Sequence, residues 1–185
     1  MSRLPDLSAA SWLTDPHVVK IIDVLEGSGY PARFVGGAVR NGLLGLPVAD
    51  LDLATTALPA TVMLLAREAG LSAHPTGIDH GTVTLVNGPM VVEVTTLRKD
   101  VETHGRRAVV AFTEDWSEDA MRRDFTINAL YCDRSGTVFE PLGSGLEDLR
   151  ARRVRFIGDA NDRIHEDYLR ILRFFRFFAT YADGE

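Results

Sequence analysis

The sequence predicts an α+β protein, a mixed sheet flanked by helices that runs into a helical segment. Three observations carry this. Helical and β-rich runs alternate through roughly the first 100 residues, turn chemistry at Asn87-Gly88-Pro89 separates two consecutive β-rich runs, and the last stretch reads as unbroken helix.

The elements follow in order. Thr14 or Asp15 followed by Pro16 makes a helix start, and Val18, Ile21, Ile22 and Leu25 recur at helical spacing until Gly27 and Gly29. Arg33-Phe34-Val35 reads as a short strand, Gly36-Gly37 as a turn, and Ala38 to Leu44 as a short helix. Asp50 to Thr55 alternates polar and apolar residues as a half-buried strand does, and Pro59 to Ala69 is a helix closed by Gly70. Thr82 to Val86 and Met90 to Leu97 form a hairpin. Lys99 to Asp115 is polar, with a brief apolar interruption from Ala108 to Phe112, and is expected to be a long mobile loop. Ser117 to Asp124 reads as a capped helical turn leading to a strand from Ile127 to Cys132. From Ile164 to Tyr181 a single long helix is expected. The domain boundary falls between Arg150 and Asp162, giving a head over 1–150 and a helical segment over 151–185.

Composition narrows the function classes. With 45% hydrophobic and 25% charged residues, the 185-residue chain has material for a core. A net charge of −6 argues against coating nucleic acid through bulk charge and leaves a local basic surface open. Cys132 is the single cysteine, so no intrachain disulfide forms. No secretory signal and no bilayer-length apolar run occur, and the expected setting is the cytoplasm.

Residues two apart on a strand share a face, so Asp50 and Asp52 stand side by side, roughly 7 Å apart along the backbone. Such a pair repels itself unless a hard cation such as magnesium lies between the carboxylates. By itself an Asp-x-Asp on an exposed strand is more often merely solubilising. Glu93, flanked by valines in Val91-Val92-Glu93-Val94, is either a third carboxylate brought beside the pair or an outward-facing strand residue. Three converging carboxylates suit a two-metal site for in-line phosphoryl displacement.

Gly36-Gly37 ahead of a helix offers backbone amides to a phosphate, with Arg40 one turn on, although a glycine pair is more often only a turn. In Arg122-Arg123-Asp124, an arginine neutralises nucleotide phosphate while Asp124 orients it or touches a sugar or base; a surface ion-pair cluster is the alternative. The last helix carries Glu166, Asp167, Arg170, Arg173 and Arg176 among Leu, Ile and Phe residues over much of its circumference. Its charges either form surface pairs, such as Asp167 with Arg170, or lie in a cleft, where an Asp and an Arg presented together hydrogen-bond a base edge without a template. Arg150, Arg152, Arg153, Arg155 and Arg163 add a basic patch suited to an RNA backbone.

Gly36-Gly37-Ala38-Val39-Arg40, Asp50-Leu51-Asp52, Glu93 to Arg98, Arg122 to Ala129 and Glu166-Asp167-Tyr168-Leu169-Arg170 together resemble, in order and spacing, class II CCA-adding tRNA nucleotidyltransferases and bacterial poly(A) polymerases. The resemblance covers about Tyr30 to Phe178. It implies a polymerase-β-like head followed by the start of a helical neck, with the family's helical body and tail not represented. It further implies magnesium on Asp50, Asp52 and Glu93, and contacts to incoming CTP or ATP from Gly37, Arg40 and Arg123. Asp167 and Arg170 would read the base, helped by Arg173 and Arg176, and Gly36, Asp124, Asn128 and Glu166 complete the candidate nucleotide site. The segment from Lys99 to Asp115 resembles the family's flexible loop, and its His104-Gly105-Arg106-Arg107 core favours CCA addition to tRNA. A poly(A) polymerase, a CC-adding enzyme and a non-catalytic nucleotide- or RNA-binding module are the alternatives. The family's first motif ends in Arg-Asp, whereas Arg40 here precedes Asn41, which keeps an acceptor and loses the charge.

Overall fold

The computed structural model describes residues 6–104 and 107–182, with side chains from 102 to 109 left aside. Two helices open the chain, α1 (Ser11–Thr14) and α2 (Pro16–Glu26). Asp15 caps the second by accepting from the His17 and Val18 amides, and its periodic residues Val18, Ile21, Ile22 and Leu25 are all fully buried. Then come β1 (Ala32–Val35), α3 (Gly37–Leu44), β2 (Leu51–Thr55), α4 (Pro59–Glu68), β3 (Ser72–Gly77), β4 (Thr82–Asn87) and β5 (Met90–Thr96). After these lie β6 (Arg98–His104), β7 (Arg107–Phe112), α5 (Trp116–Met121), β8 (Tyr131–Cys132), β9 (Val138–Phe139), α6 (Gly145–Arg150), α7 (Ala160–Glu166) and α8 (Leu169–Tyr181).

Seven strands form one mixed sheet in the order β3-β4-β5-β2-β1-β8-β9, in which β2 and β5 run parallel and the other pairs antiparallel. The period-2 alternation of the strands sorts side chains between its two faces. Phe34, Leu51, Leu53, Val92, Val94 and Cys132 join a large core with α2, α3 and α4, while Val35, Ala54 and Tyr131 join a smaller cluster with Ala120 and Trp116 of α5. Asp52 and Glu93 alternate with members of the large core, so both stand on the other face, the one with the thinner apolar cover.

Three expectations are corrected. The segment from Lys99 to Asp115 is not a loop throughout: β6 and β7 pair antiparallel from Arg98↔Phe112 to His104↔Arg107, with a register shift between Asp100 and Glu102. The β-branched Val101, Val109 and Val110 supply the strand propensity. Gly105 and Arg106 lie outside the described residues, so part of the His104 to Arg107 core does too. The strand expected from Ile127 to Cys132 is a 3-10 turn over Thr126–Asn128 and only then β8. Thr126 and Asn128 turn inward there because Asp148 and Asp124 accept their side-chain hydrogen bonds.

The single helix from Ile164 to Tyr181 is two. Asp167 is extended, φ −153° and ψ 106°, and its carboxylate accepts from the Leu169 amide, so it ends α7 and starts α8. The second helix docks on the head through aromatic packing: Phe177 is 5.1 Å from Phe125, and Phe174 stacks on Phe156 at 5.6 Å. Its opposite side leaves Leu172 and Phe175 exposed.

Candidate active site

A cleft of about 740 Å³ opens where α3, β2, the turn after α5 and the α7–α8 junction meet. Gly36, Gly37 and Arg40 contribute from the start of α3, and Asp50 and Asp52 from β2 and the residue before it. Arg123, Asp124 and Asn128 come from the turn after α5, and Asp167, Arg170, Arg173 and Arg176 from the last two helices. Twelve predicted residues, separated by up to 140 positions in sequence, therefore face one space.

Two predicted residues stand apart from it. Glu93 is the in-register neighbour of Asp52 across the parallel β2–β5 pair. With Asp50 and Asp52 it lines an adjoining cleft of about 600 Å³. Glu166 instead accepts from Arg163 at 2.6 Å and from Arg170 at 2.5 Å, holding the latter from behind. Of the two alternatives for Asp167 and Arg170, the cleft is the one found: both residues line it, and Arg170 pairs with Glu166.

Asp52 is half-buried, whereas Asp50 and Glu93 are exposed. Burial raises the Asp52 carboxyl above its usual range, and Glu93 and Asp50 add to the rise while Arg123 opposes it. Among the described residues no group of three or more His, Cys, Asp or Glu side chains is gathered tightly enough to hold a metal ion. The convergence of Asp50, Asp52 and Glu93 expected from sequence is therefore present as a shared face and not as a tight cluster, as mutual repulsion between carboxylates dictates. A half-buried carboxylate beside two others, without a fixed cation of its own, is a donor set that fits a hard divalent cation.

Arg40, Arg122, Arg123 and Arg173 on the opposite side are latched by side-chain contacts. Asp119, 1% exposed, accepts from Arg122 Nε at 2.9 Å, Arg123 Nη2 at 3.1 Å and the Tyr131 hydroxyl at 2.7 Å. Burial works against its charge, yet the two guanidiniums prevail and hold its carboxyl down at about 2. Further along, Arg40 donates to Asn128 Oδ1, Asn128 Nδ2 donates to Asp124 Oδ1 at 2.9 Å, and Asp124 Oδ2 accepts from Arg173 Nε at 2.7 Å. Asp124 is 8% exposed and both its oxygens accept hydrogen bonds within the protein, so it orients Asn128 and Arg173.

Asn41 explains its own departure from the family pattern. Its Oδ1 accepts from Arg40 Nε at 3.1 Å, Arg40 Nη2 at 3.0 Å and the Tyr181 hydroxyl at 3.2 Å, while Nδ2 donates to the Pro47 carbonyl at 3.0 Å. An aspartate could accept the first three but could not make the last. Arg40 Nη2 also donates to the Tyr181 hydroxyl at 2.7 Å, so α8 is fastened to α3 at the cleft's edge.

The glycine pair divides in function. Gly36 has φ +68° and ψ −119°, which a side chain would strain. Gly37 is already helical, and a Cβ there would meet Arg40 Nη2 at an ordinary 3.8 Å, so the fold itself does not demand its glycine. It lines the cleft together with Gly36 at the start of α3.

The proposed basic patch for an RNA backbone is largely committed elsewhere. Arg153 and Arg155 pair with the buried Asp148, and Arg163 donates to the Arg122 and Arg123 carbonyls at 2.7 Å. Cleft residues given no role from sequence are Arg98 and Phe177, and Asp119 and Tyr181 support the wall from outside it. Asp119 was legible as an i,i+3 and i,i+4 partner of Arg122 and Arg123; Tyr181 had no local signal.

Residues 32–155 match the family described as the poly A polymerase head domain. The chain belongs to this family. Among curated relatives, the CCA tRNA nucleotidyltransferase 1, mitochondrial, of Homo sapiens is 47% identical over 164 residues, covering 88% of this chain and 38% of that protein. The CCA-adding enzyme of Geobacillus thermodenitrificans is 45% identical over 159 residues, covering 85% and 38%. The crystal structure of the Bacillus stearothermophilus CCA-adding enzyme in complex with CTP superposes with a TM-score of 0.80 at 40% identity, over 90% of this chain and 40% of that one. A tRNA nucleotidyltransferase complexed with a primer tRNA and an incoming ATP analog superposes at 0.69 and 31% identity, over 89% and 46%. The chain thus spans about two fifths of the length of these relatives. The α+β head of the family is the fold expected from sequence, a mixed sheet flanked by helices. No helix among the described residues is long and apolar enough to cross a membrane.

Proposed function

We propose that this chain carries the nucleotide and metal site of a template-independent RNA nucleotidyltransferase that adds CCA to tRNA 3′ ends from CTP and ATP and releases pyrophosphate. The observation that carries the reading is the single cleft with Asp50 and Asp52 on one wall and Arg122, Arg123 and Arg170 on the other. Phosphoryl transfer needs that opposition of charge, with carboxylates for metal and guanidiniums for phosphate. The names of the relatives, one bound to CTP and another to primer tRNA with an ATP analog, support CTP, ATP and tRNA as substrates.

Nucleotidyltransferases as a class use divalent metal, and magnesium is the ion proposed here, held by Asp50 and Asp52 with Glu93 as the third carboxylate. When bound, it would neutralise phosphate charge and favour the ionised 3′-hydroxyl. The chemistry is attack of the RNA 3′ oxygen on the α-phosphorus: an O–P bond forms, the bond to the β-phosphate bridge breaks in line, and pyrophosphate leaves. Asp52 or Glu93 accepts the hydroxyl proton. Gly37 and the α3 amides, with Arg40 and Arg123, bind the phosphates, and Asp167 and Arg170 read the base edge. Residues 1–150 form the catalytic head and 151–185 the start of a neck in this reading, and a reducing, cytoplasmic setting fits the single buried Cys132.

The test is incubation of the protein with tRNA lacking its terminal triplet, one labelled nucleotide at a time. Addition of two C residues and then A is expected. Repeated addition of ATP alone would indicate a poly(A) polymerase, and CTP alone a CC-adding enzyme. Absence of metal-dependent pyrophosphate release would favour a binding module. Asp50→Ala and Asp52→Ala should each slow incorporation by about 1,000-fold or more, equivalent to roughly 4 kcal/mol of transition-state stabilisation. Unimpaired incorporation by either would sink the assignment, and Asp167→Ala with wild-type nucleotide choice would sink the base-reading role.

A further inference from the structure

Arg98 is the cleft residue whose chemistry is unaccounted for. It opens β6 directly after β5, and its backbone amide donates to Asp119 Oδ1 at 3.3 Å, which ties its position to the arginine wall. Its guanidinium has no such tie. Nε and Nη1 are both buried without a hydrogen-bond partner, whereas Asp119 already takes hydrogen bonds from Arg122, Arg123 and Tyr131.

Removal from water and the neighbouring Arg122 push its pKa down to about 10, against weaker help from Asp119 and Asp100. It still carries its charge at neutral pH. Arg98, Arg122 and Arg123 thus share the lining of this cleft, and Asp119 pairs with only the last two. A buried, charged, unpaired donor is costly for a fold to keep, and its fork geometry matches phosphate oxygens.

We infer that Arg98 binds the β- and γ-phosphoryl groups of the incoming nucleotide, and therefore the pyrophosphate that leaves. The assignment rests on the proposed function. In that reading the α-phosphoryl lies with Asp50 and Asp52, so the anion left for the end rich in arginine is the pyrophosphate portion. Arg40 and Arg173 are tied to Asn128 and Asp124, whereas Arg98 enters with unused donors.

The experiment is calorimetric titration of this chain, with magnesium in solution, by inorganic pyrophosphate, CTP and CMP. Wild type is expected to bind pyrophosphate and to prefer CTP to CMP. Arg98→Ala should weaken pyrophosphate and CTP by roughly 10- to 100-fold, the loss of charge-assisted hydrogen bonds, and leave CMP unchanged. Arg98→Lys, which keeps charge but not the fork, should recover part of the loss. Thermal denaturation of both variants should show no loss of stability, since the residue removed was an unpaired buried cation. Arg98→Ala that binds pyrophosphate as tightly as wild type, or that loses CMP and pyrophosphate alike, overturns the role of Arg98 while leaving the functional reading in place. A folded wild-type chain that binds neither CTP nor pyrophosphate overturns both.

Discussion

The two walls of the cleft are built on opposite principles. Asp52 and Glu93 are placed by backbone alone, through strand alternation and the parallel register of β2 and β5, with Asp50 just ahead of β2, and both Glu93 and Asp50 repel Asp52. The facing wall is placed by side chains that hold each other: Asp119 gathers Arg122, Arg123 and Tyr131, and Arg40, Asn128, Asp124 and Arg173 form a relay across to α8. The lesson is that carboxylates left short of cations can be tolerated when the sheet itself is stable, whereas arginines on a turn and on a docked helix need fixed acceptors to stay in place.

Substitution should separate the two walls most sharply at Asp119. Asp119→Asn leaves two half-buried guanidiniums without their anion and is expected to lower unfolding free energy by about 3 kcal/mol. Asp52→Asn, which relieves repulsion, should leave stability unchanged or raise it. Urea denaturation of both variants makes the comparison, and equal losses would erase the distinction between the walls.

Acid should break the same wall more gradually. The Asp119 carboxyl sits at about 2 in the folded protein, below its ordinary value of 3.8. A depressed folded-state value contributes stability above the unfolded value, so this contribution, on the order of 2 kcal/mol, should be complete above pH 4 and fall away as pH drops toward 2. The decline between those limits should be shallower in Asp119→Asn; identical acid profiles would show that Asp119 does not anchor the wall.

The smallest effect is expected at the relay's far end. Tyr181→Phe removes the hydroxyl that accepts from Arg40 and donates to Asn41, at a cost of about 1 kcal/mol in stability. Amide exchange in α8 should rise more than in α4, which does not touch the relay. Uniform change across both helices would mean that the hydroxyl does not fasten α8 to the head.

Legibility followed the range of the interactions. Val18, Ile21, Ile22 and Leu25 announced α2 because periodic burial is written into adjacent turns, and Asp50, Asp52 and Glu93 could be placed on strands by alternation. Twelve of the predicted site residues do line the cleft because their motifs could be read together as a family pattern. The β6–β7 hairpin was missed because only β7 carries an apolar run, Ala108 to Phe112, while its partner β6 is almost wholly polar. The break at Asp167 was missed because Leu, Ile and Phe periodicity continues across it, and a single extended residue interrupts hydrogen bonding without interrupting hydrophobicity.

Sequence by itself determined the fold class and the family, and picked out twelve residues that share one cleft, since those depend on local patterning and ordered motifs. Tertiary structure alone decided which of those charges are spent and which remain available. Asp124 turned out to be bound within the protein, Asn41 to use both ends of its amide, and Arg98 to line the cleft with Nε and Nη1 unmatched. The reason is physical: a hydrogen bond is settled by distance and direction between groups as far apart in sequence as Arg40 and Tyr181, and no pattern along the chain records that.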